Sequence, residues 1–219
     1  MDFFIDTANL DQIKDAQDLG ILDGVTTNPS LMAKEGIYGD KKVHAHYKKI
    51  CSIVDGPVSA EVISTEREAM IAEGIVLFDI NPKQIVVKIP MTEDGLAAIK
   101  VLKEKNIPTN CTLVFSVSQA LLAAKAGATY VSPFVGRLDD ISSDGIQLVN
   151  QIRLVFDNYQ IDTLILAASI RNTRHVIDCA EIGADVLTAP LKVFKMLIKH
   201  PLTDSGLQKF LDDYNSIKP

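Results

Sequence analysis

Ala126-Gly127-Ala128-Thr129-Tyr130-Val131-Ser132-Pro133 and Ile182-Gly183-Ala184-Asp185-Val186-Leu187-Thr188-Ala189-Pro190 are two versions of one pattern. In each, an apolar helix end meets a glycine stop, a short strand follows, and a proline closes it. Gly127 and Gly183 stand 56 residues apart. If that interval spans two βα units, each unit takes about 28 residues, and eight of them come to about the length of the chain. With 219 residues, the expectation is α/β architecture: a single (β/α)8 TIM barrel domain over residues 1–219, with no room for a second domain.

The rest of the chain follows the same pattern. Short β-branched or apolar runs alternate with longer segments whose apolar residues recur at helical spacing, as βα units and a parallel sheet require. The expected strands are Asp2 to Ile5, Gly24 to Thr27, Val58 to Val62, Ile85 to Ile89, Thr109 to Leu113, Thr129 to Phe134, Thr163 to Ala168 and Asp185 to Thr188. Thr65 to Phe78 reads as a helix opened by a Thr65/Glu68 capping box. Asp144 to Tyr159 reads as a helix burying Leu148, Val149, Ile152, Val155 and Phe156 along one stripe. Thr203 to Ser216 is an additional C-terminal amphipathic helix, with Leu207, Phe210 and Leu211 on one side. Eight units do not need it, and packing on a neighbouring subunit is the expected use. An open doubly wound sheet would supply a Gly-rich phosphate turn after its first strand, and Asp6-Thr7-Ala8-Asn9 is no such turn.

Composition excludes several classes of function. The chain is 47% hydrophobic and 23% charged, which suits a domain with a sizeable core and rules out disorder, collagen and small disulfide scaffolds. Lysine plus arginine number 22 against 28 acidic residues, a formal net charge of −6. That is the wrong sign for bulk attraction to nucleic acid or anionic lipid, so no nucleic acid and no membrane are expected as partners. Any anionic ligand must be held by locally placed cations. No apolar run approaches the roughly 18 residues of a membrane span, and Met1-Asp2-Phe3-Phe4-Ile5-Asp6 lacks a signal-peptide signature. A cytoplasmic protein is expected. Cys51, Cys111 and Cys179 form no close pair and read as small, buried, reduced side chains.

Walker A, GxGxxG, GxSxG and HExxH patterns are absent, which removes the commonest routes to nucleotide binding, serine hydrolysis and zinc hydrolysis. His44 and His46 stand two apart on a helix, point to different faces, and read as solvated. His175 and His200 lie in helical stretches with no acidic or cysteine partner at ligand spacing. No metal site is expected.

Strands of a parallel barrel are covered on both faces, so a charge inside one needs a reason. Lys88, in Gln84-Ile85-Val86-Val87-Lys88-Ile89-Pro90, is such a charge, near the carboxyl end of the fourth strand where barrel active sites are built. It either snorkels to the rim or sits among apolar walls. Walls of that kind disfavour the ammonium, leave part of the amine neutral and nucleophilic, and point to Schiff-base chemistry. Asp6 ends the first strand and Glu61 stands in Ser59-Ala60-Glu61-Val62-Ile63 on the third, both aimed at the same mouth. Asp6 has an alternative use as a helix cap. Thr26, Asn28, Asn110, Thr112 and Ser169 add hydrogen-bonding groups at the ends of strands two, five and seven. Arg137 and Arg171 follow strands six and seven, where a phosphate can be gripped bidentately. Surface pairing with Asp139 or Asp140 is the alternative, and by sequence it suits Arg137 better than Arg171.

Together these residues resemble the transaldolase family over the whole chain, specifically its short form, which also contains the fructose-6-phosphate aldolases. The resemblance is carried by Phe4-Ile5-Asp6-Thr7-Ala8, Gly24-Val25-Thr26-Thr27-Asn28-Pro29-Ser30, Val86-Val87-Lys88-Ile89-Pro90, Gly95-Leu96-Ala97-Ala98-Ile99-Lys100 and Leu166-Ala167-Ala168-Ser169-Ile170-Arg171. It implies that Lys88 is the Schiff-base lysine and Asp6 the general acid/base on the sugar hydroxyl. Glu61 and Thr112 match positions that hold a catalytic water. Asn28 and Asn110 match groups that orient substrate hydroxyls and the enamine, Ser169, Arg171 and Arg137 match phosphate holders, and Thr26 lines the site near Asp6.

Within the family, aldolases resemble each other in carrying glutamine at the position of Glu61 and tyrosine at that of Phe134, and this chain has neither. The resemblance therefore implies a transaldolase that passes a dihydroxyacetone unit from sedoheptulose 7-phosphate or fructose 6-phosphate to an aldose phosphate. Sugar phosphates are the expected partners and no cofactor is expected, because the iminium is its own electron sink. A lyase releasing free dihydroxyacetone and a noncatalytic phosphosugar-binding barrel are the alternatives. By the same resemblance the chain is expected to form a homo-oligomer, a pentamer or decamer.

Overall fold

Strands covered by helices outside and side chains inside have to be apolar on both faces, and the eight strands read that way. They are β1 (Asp2–Asp6), β2 (Gly24–Thr26), β3 (Val58–Glu61), β4 (Ile85–Pro90), β5 (Thr109–Val114), β6 (Tyr130–Pro133), β7 (Leu164–Ala167) and β8 (Val186–Ala189). In this computed structural model, which describes residues 1–217, they close into one parallel barrel. Each strand pairs with the next and β8 returns to β1. The last two residues of the expected 1–219 domain lie outside the described residues.

The helices are α1 (Leu10–Asp18), α2 (Pro29–Lys34), α3 (Asp40–Ile53), α4 (Arg67–Phe78), α5 (Glu93–Glu104), α6 (Val117–Ala126), α7 (Val135–Asp139), α8 (Gly145–Tyr159), α9 (Thr173–Ile182), α10 (Leu191–Ile198) and α11 (Pro201–Ser216). Gly127 and Gly183 end α6 and α9 with φ of 97° and 83°, a left-handed turn that glycine adopts without a Cβ penalty. That chain reversal returns each helix to its next strand, so the repeat does span two units, β6 to β8.

Alternation along each strand divides the apolar material in two. The large core lies between sheet and helices and includes Ile5, Val25, Val87, Ile89 and Cys111. A separate cluster of Phe4, Val86, Tyr130, Leu166 and Val186 fills the barrel interior. Two residues further along, on the same face, stand Asp6, Lys88, Ser132 and Thr188 on their strands and Ala168 just past the end of β7. The interior is thus an apolar plug below and a mostly polar ring above, at the carboxyl ends of the strands.

Several expectations are corrected. Helix α4 begins at Arg67 after an N-cap Glu66 with no side-chain bond, so the Thr65/Glu68 capping box does not form. Glu73 instead reaches back from within α4 and accepts from the backbone N–H groups of Ile63 and Ser64, both at 2.9 Å. Along α8, Leu148, Val149, Ile152 and Phe156 are buried but Val155 is only half-buried. His200 is the N-cap of α11, accepting from Leu202 N–H through Nδ1, rather than a helical residue. His175 does have an acidic partner, Asp139, at 3.1 Å, brought to it by the fold. His46 is half-buried against the Ala8 carbonyl at 2.6 Å, not solvated. The cysteines are free, Cys111 and Cys179 buried and Cys51 half-buried. Helix α11 has no buried residue, and Leu207, Phe210 and Leu211 are exposed. Among the described residues, no helix is long and apolar enough to cross a membrane.

Candidate active site

Asp6 is the last residue of β1 and Glu61 the last of β3, while Lys88 lies on β4, directly opposite Glu61 in the β3–β4 register. Those positions follow from strand length and alternation alone. The capping alternative for Asp6 does not hold: Asn9 caps α1, accepting from the N–H groups of Asp11 and Gln12. Asp6 is left to face the barrel mouth.

Lys88 is 6% exposed, and its amine does not snorkel outward. It lies 3.0 Å from Glu61 Oε2 and donates to the Thr27 carbonyl at 3.1 Å. The wholly apolar surroundings expected for this amine are therefore corrected. Burial removes water, but a carboxylate and a carbonyl replace it. Such an arrangement holds the proton locally and offers it an immediate acceptor.

Asp6 accepts from Thr26 Oγ1 at 2.8 Å, and Thr26 Oγ1 lies 2.7 Å from Thr188 Oγ1. Because Thr26 has one hydroxyl proton and gives it to Asp6, Thr188 is the donor of the second bond. Burial pushes the Asp6 carboxyl above its ordinary range, and the nearby Lys88 charge, the Thr26 hydroxyl and Lys34 offset this only in part. A carboxyl poised in this way suits proton uptake and return.

These groups meet in a cavity of about 120 Å³ lined by Asp6, Thr26, Asn28, Lys88, Ser132, Phe134, Arg137, Ala168, Ser169 and Thr188. Asn28 also caps α2 through its side-chain oxygen, which accepts from Leu31 N–H at 2.9 Å. The Arg137 guanidinium lies over the Phe134 ring, 5.5 Å from its centroid, and Phe115 meets the same ring edge-on at 5.6 Å. Ser169 holds a left-handed backbone, φ 59°, unusual for a non-glycine residue and common at binding sites.

Four expected residues lie outside the cavity lining. Glu61 reaches the site through Lys88. Asn110 is fully buried, donates to Ser59 Oγ at 3.3 Å and accepts from Ser132 Oγ at 2.7 Å. Thr112 is buried on β5 and its hydroxyl has no hydrogen-bond partner among the described residues. Arg171 is exposed and forked onto Asp140, with Nη2 to Oδ2 at 2.6 Å and a second bond from Nη1 to Oδ1. Those bonds hold the Asp140 carboxyl below its usual range. Pairing with an acid thus falls to Arg171, and not to Arg137 as the sequence suggested.

Three contributors escape sequence reasoning: Ser59, Ser132 and Thr188. Each is a small polar residue inside a strand, without a charge to mark it. Their alternation with the apolar plug residues is the signal that could have found Ser132 and Thr188.

Comparison with known proteins finds relatives over nearly the whole chain. A family model described as Transaldolase/Fructose-6-phosphate aldolase matches residues 3–218. A protein named probable transaldolase from Cytophaga hutchinsonii is 64% identical over 217 residues, covering 99% of each chain. Probable transaldolases from Bacteroides thetaiotaomicron and Parabacteroides distasonis are 64% and 65% identical over the same length and shares.

Proposed function

The chain belongs to the transaldolase/fructose-6-phosphate aldolase family, and from that membership we propose a cytoplasmic transaldolase that works through a Schiff base on Lys88. The observation that carries the reading is the buried Lys88 amine, 3.0 Å from Glu61, on the wall of a cavity shared with Asp6 and Arg137. The names of the relatives support transfer over cleavage, as does Phe134, a cavity residue with no hydroxyl to protonate an enamine.

The donor is sedoheptulose 7-phosphate or fructose 6-phosphate. Lys88, having passed a proton to Glu61, attacks the donor ketone with its lone pair to give a carbinolamine. Glu61, with a water held toward Thr112, returns the proton as hydroxide leaves, and an iminium remains. Asp6 removes the proton of the hydroxyl on the carbon beyond the scissile bond. That bond breaks, the hydroxyl carbon becomes an aldehyde, and the electron pair flows to the iminium nitrogen as an enamine. The aldose phosphate leaves; glyceraldehyde 3-phosphate or erythrose 4-phosphate enters, and the steps reverse.

Asn28 and Asn110 orient the three-carbon unit, with Thr26 holding Asp6. Arg137, Ser169 and Arg171 hold the phosphate, Arg171 sharing its fork between Asp140 and the ligand. These cations also give anionic sugars a local target on a chain of net charge −6. The exposed apolar side chains of α11 support a homo-oligomer, and the family resemblance a pentamer or decamer, built from a single 1–219 domain.

The test combines two measurements. Borohydride added during incubation with fructose 6-phosphate is expected to leave an adduct that peptide mass mapping finds on Lys88. Turnover of the same donor is expected to need an aldose phosphate acceptor. Rapid cleavage without acceptor would favour the lyase, and binding with no adduct a noncatalytic barrel.

A further inference from the structure

Tyr47 lies on α3, outside the barrel, yet its side chain is almost wholly buried within the main core. A phenol in that position has to find partners for its hydroxyl. The oxygen lies 2.8 Å from Thr27 Oγ1, and the Glu61 backbone amide is near enough to favour the ionised phenol slightly. Thr27 Oγ1 in turn donates to the Ser59 carbonyl at 3.1 Å. With one proton per hydroxyl, the chain of bonds has a single direction: Tyr47 O–H to Thr27, and Thr27 O–H to the Ser59 carbonyl. These bonds therefore join the end of β2 to the end of β3.

Those two strand ends carry the two groups that hold the Lys88 amine. Thr27 accepts from Nζ through its carbonyl at 3.1 Å, and Glu61 meets it through Oε2 at 3.0 Å. We infer that Tyr47 is a positioning residue for the Schiff-base lysine, its hydroxyl fixing Thr27 against β3 so that the Thr27 carbonyl and Glu61 stay in place as the two jaws of one clamp on Lys88. This rests on the reading of Lys88 as the nucleophile.

A side cavity of about 180 Å³ lies beside the clamp. It is lined by Tyr47 and Glu61 together with Met32, Ile37, Val43 and Ile63 among others. Glu61 thus borders open space, and its pairing with Lys88 holds only if the β2 and β3 ends stay in place. The phenol remains a donor throughout the working pH range, because burial above all, with Glu61 and Glu73 adding to it, pushes its pKa up to about 12.

The experiment uses the full chain and the Tyr47→Phe variant, with Thr27→Val reaching the same clamp from β2. Each protein is mixed with fructose 6-phosphate, quenched with borohydride over a time course, and the Lys88 peptide is quantified. Melting temperature, kcat and KM are measured in parallel. Tyr47→Phe is expected to slow adduct formation by about 10- to 100-fold, the scale of a reacting group displaced by about 1 Å. The KM for donor is expected to change little, because Tyr47 does not line the sugar cavity. The double variant is expected to be no slower than the slower single one, as for two residues acting through one device.

Wild-type adduct with an unchanged rate in Tyr47→Phe overturns the inference alone. Losses that multiply in the double variant, or that fall on KM and not on the trapping rate, also overturn it, since a merely structural role predicts those. A wild-type chain that gives no Lys88 adduct overturns the Schiff-base reading and this inference with it. If Tyr47→Phe does not fold, Thr27→Val decides by the same rate measurement.

Discussion

Glu61 and Lys88 face one another across neighbouring strands, paired in register and 3.0 Å apart between Oε2 and Nζ. Removing one partner of a buried pair costs about 3–5 kcal/mol where the other is left wholly enclosed. Glu61 is the less enclosed of the two, with 15% of its side chain exposed against 7% for Lys88. Lys88→Met is therefore expected to keep the fold, read by circular dichroism, while turnover falls by orders of magnitude. Glu61→Gln strands the deeper group and is expected to lower the melting temperature as well as kcat, the latter by about 10² to 10⁴. Full activity in Glu61→Gln would remove the carboxylate from the proton route.

Asp6 supplies a prediction with a definite sign. Its folded-state pKa is raised above the ordinary 3.8, so between the two values the native state binds a proton that the unfolded chain has lost. Stability therefore falls as pH rises through that window and does not recover above it. Asp6→Asn, which cannot ionise, is expected to melt higher than wild type near neutral pH. The two melting temperatures should converge as pH falls below 3.8. Turnover by Asp6→Asn should be nearly abolished, and a wild-type melting temperature no lower than that of the variant at pH 7 contradicts the raised carboxyl.

The Thr112 hydroxyl is buried with no hydrogen-bond partner among the described residues. Removing an unsatisfied buried polar group at constant shape is neutral or stabilising. Thr112→Val is expected to keep or raise the melting temperature and to lower kcat by about tenfold or more, which corresponds to about 1.4 kcal/mol in the transition state. Unchanged kcat would take Thr112 out of the mechanism.

Gly136 is pressed against two of the residues proposed to hold phosphate, Ser169 and Arg171. A Cβ there would lie 2.4 Å from the Ser169 carbonyl oxygen and 2.7 Å from Arg171 Nε. Gly136→Ala must therefore displace the Ser169 backbone, the Arg171 side chain, or both. A rise of about tenfold in KM for phosphorylated donor is expected, about 1.4 kcal/mol of binding, with a smaller effect on the KM for fructose, the same donor without its phosphate. Equal effects on both would show that the loop serves folding and not phosphate recognition.

How far the sequence reaches is set by what leaves a local trace. Gly127 and Gly183 mark the repeat because a left-handed helix end is a local requirement, and the barrel follows from their spacing. Lys88, Asp6 and Glu61 stand out because charge inside an apolar strand is costly. The Arg171–Asp140 fork joins residues 31 apart, and nearness along the chain instead drew attention to Arg137. The failed Thr65/Glu68 box shows the same limit, since Glu73 takes up the waiting backbone donors from within the helix. Tyr47 reads as an ordinary core position by helical spacing, and only three-dimensional contact reveals what its oxygen joins.

The plug of Phe4, Val86, Tyr130, Leu166 and Val186 sits one layer beneath the polar ring. Scaffold and toolset are thus carried by different residues of the same strands. An engineer, or natural drift, can swap the upper tools for another carbonyl reaction while the foundation that keeps the chain folded stays untouched.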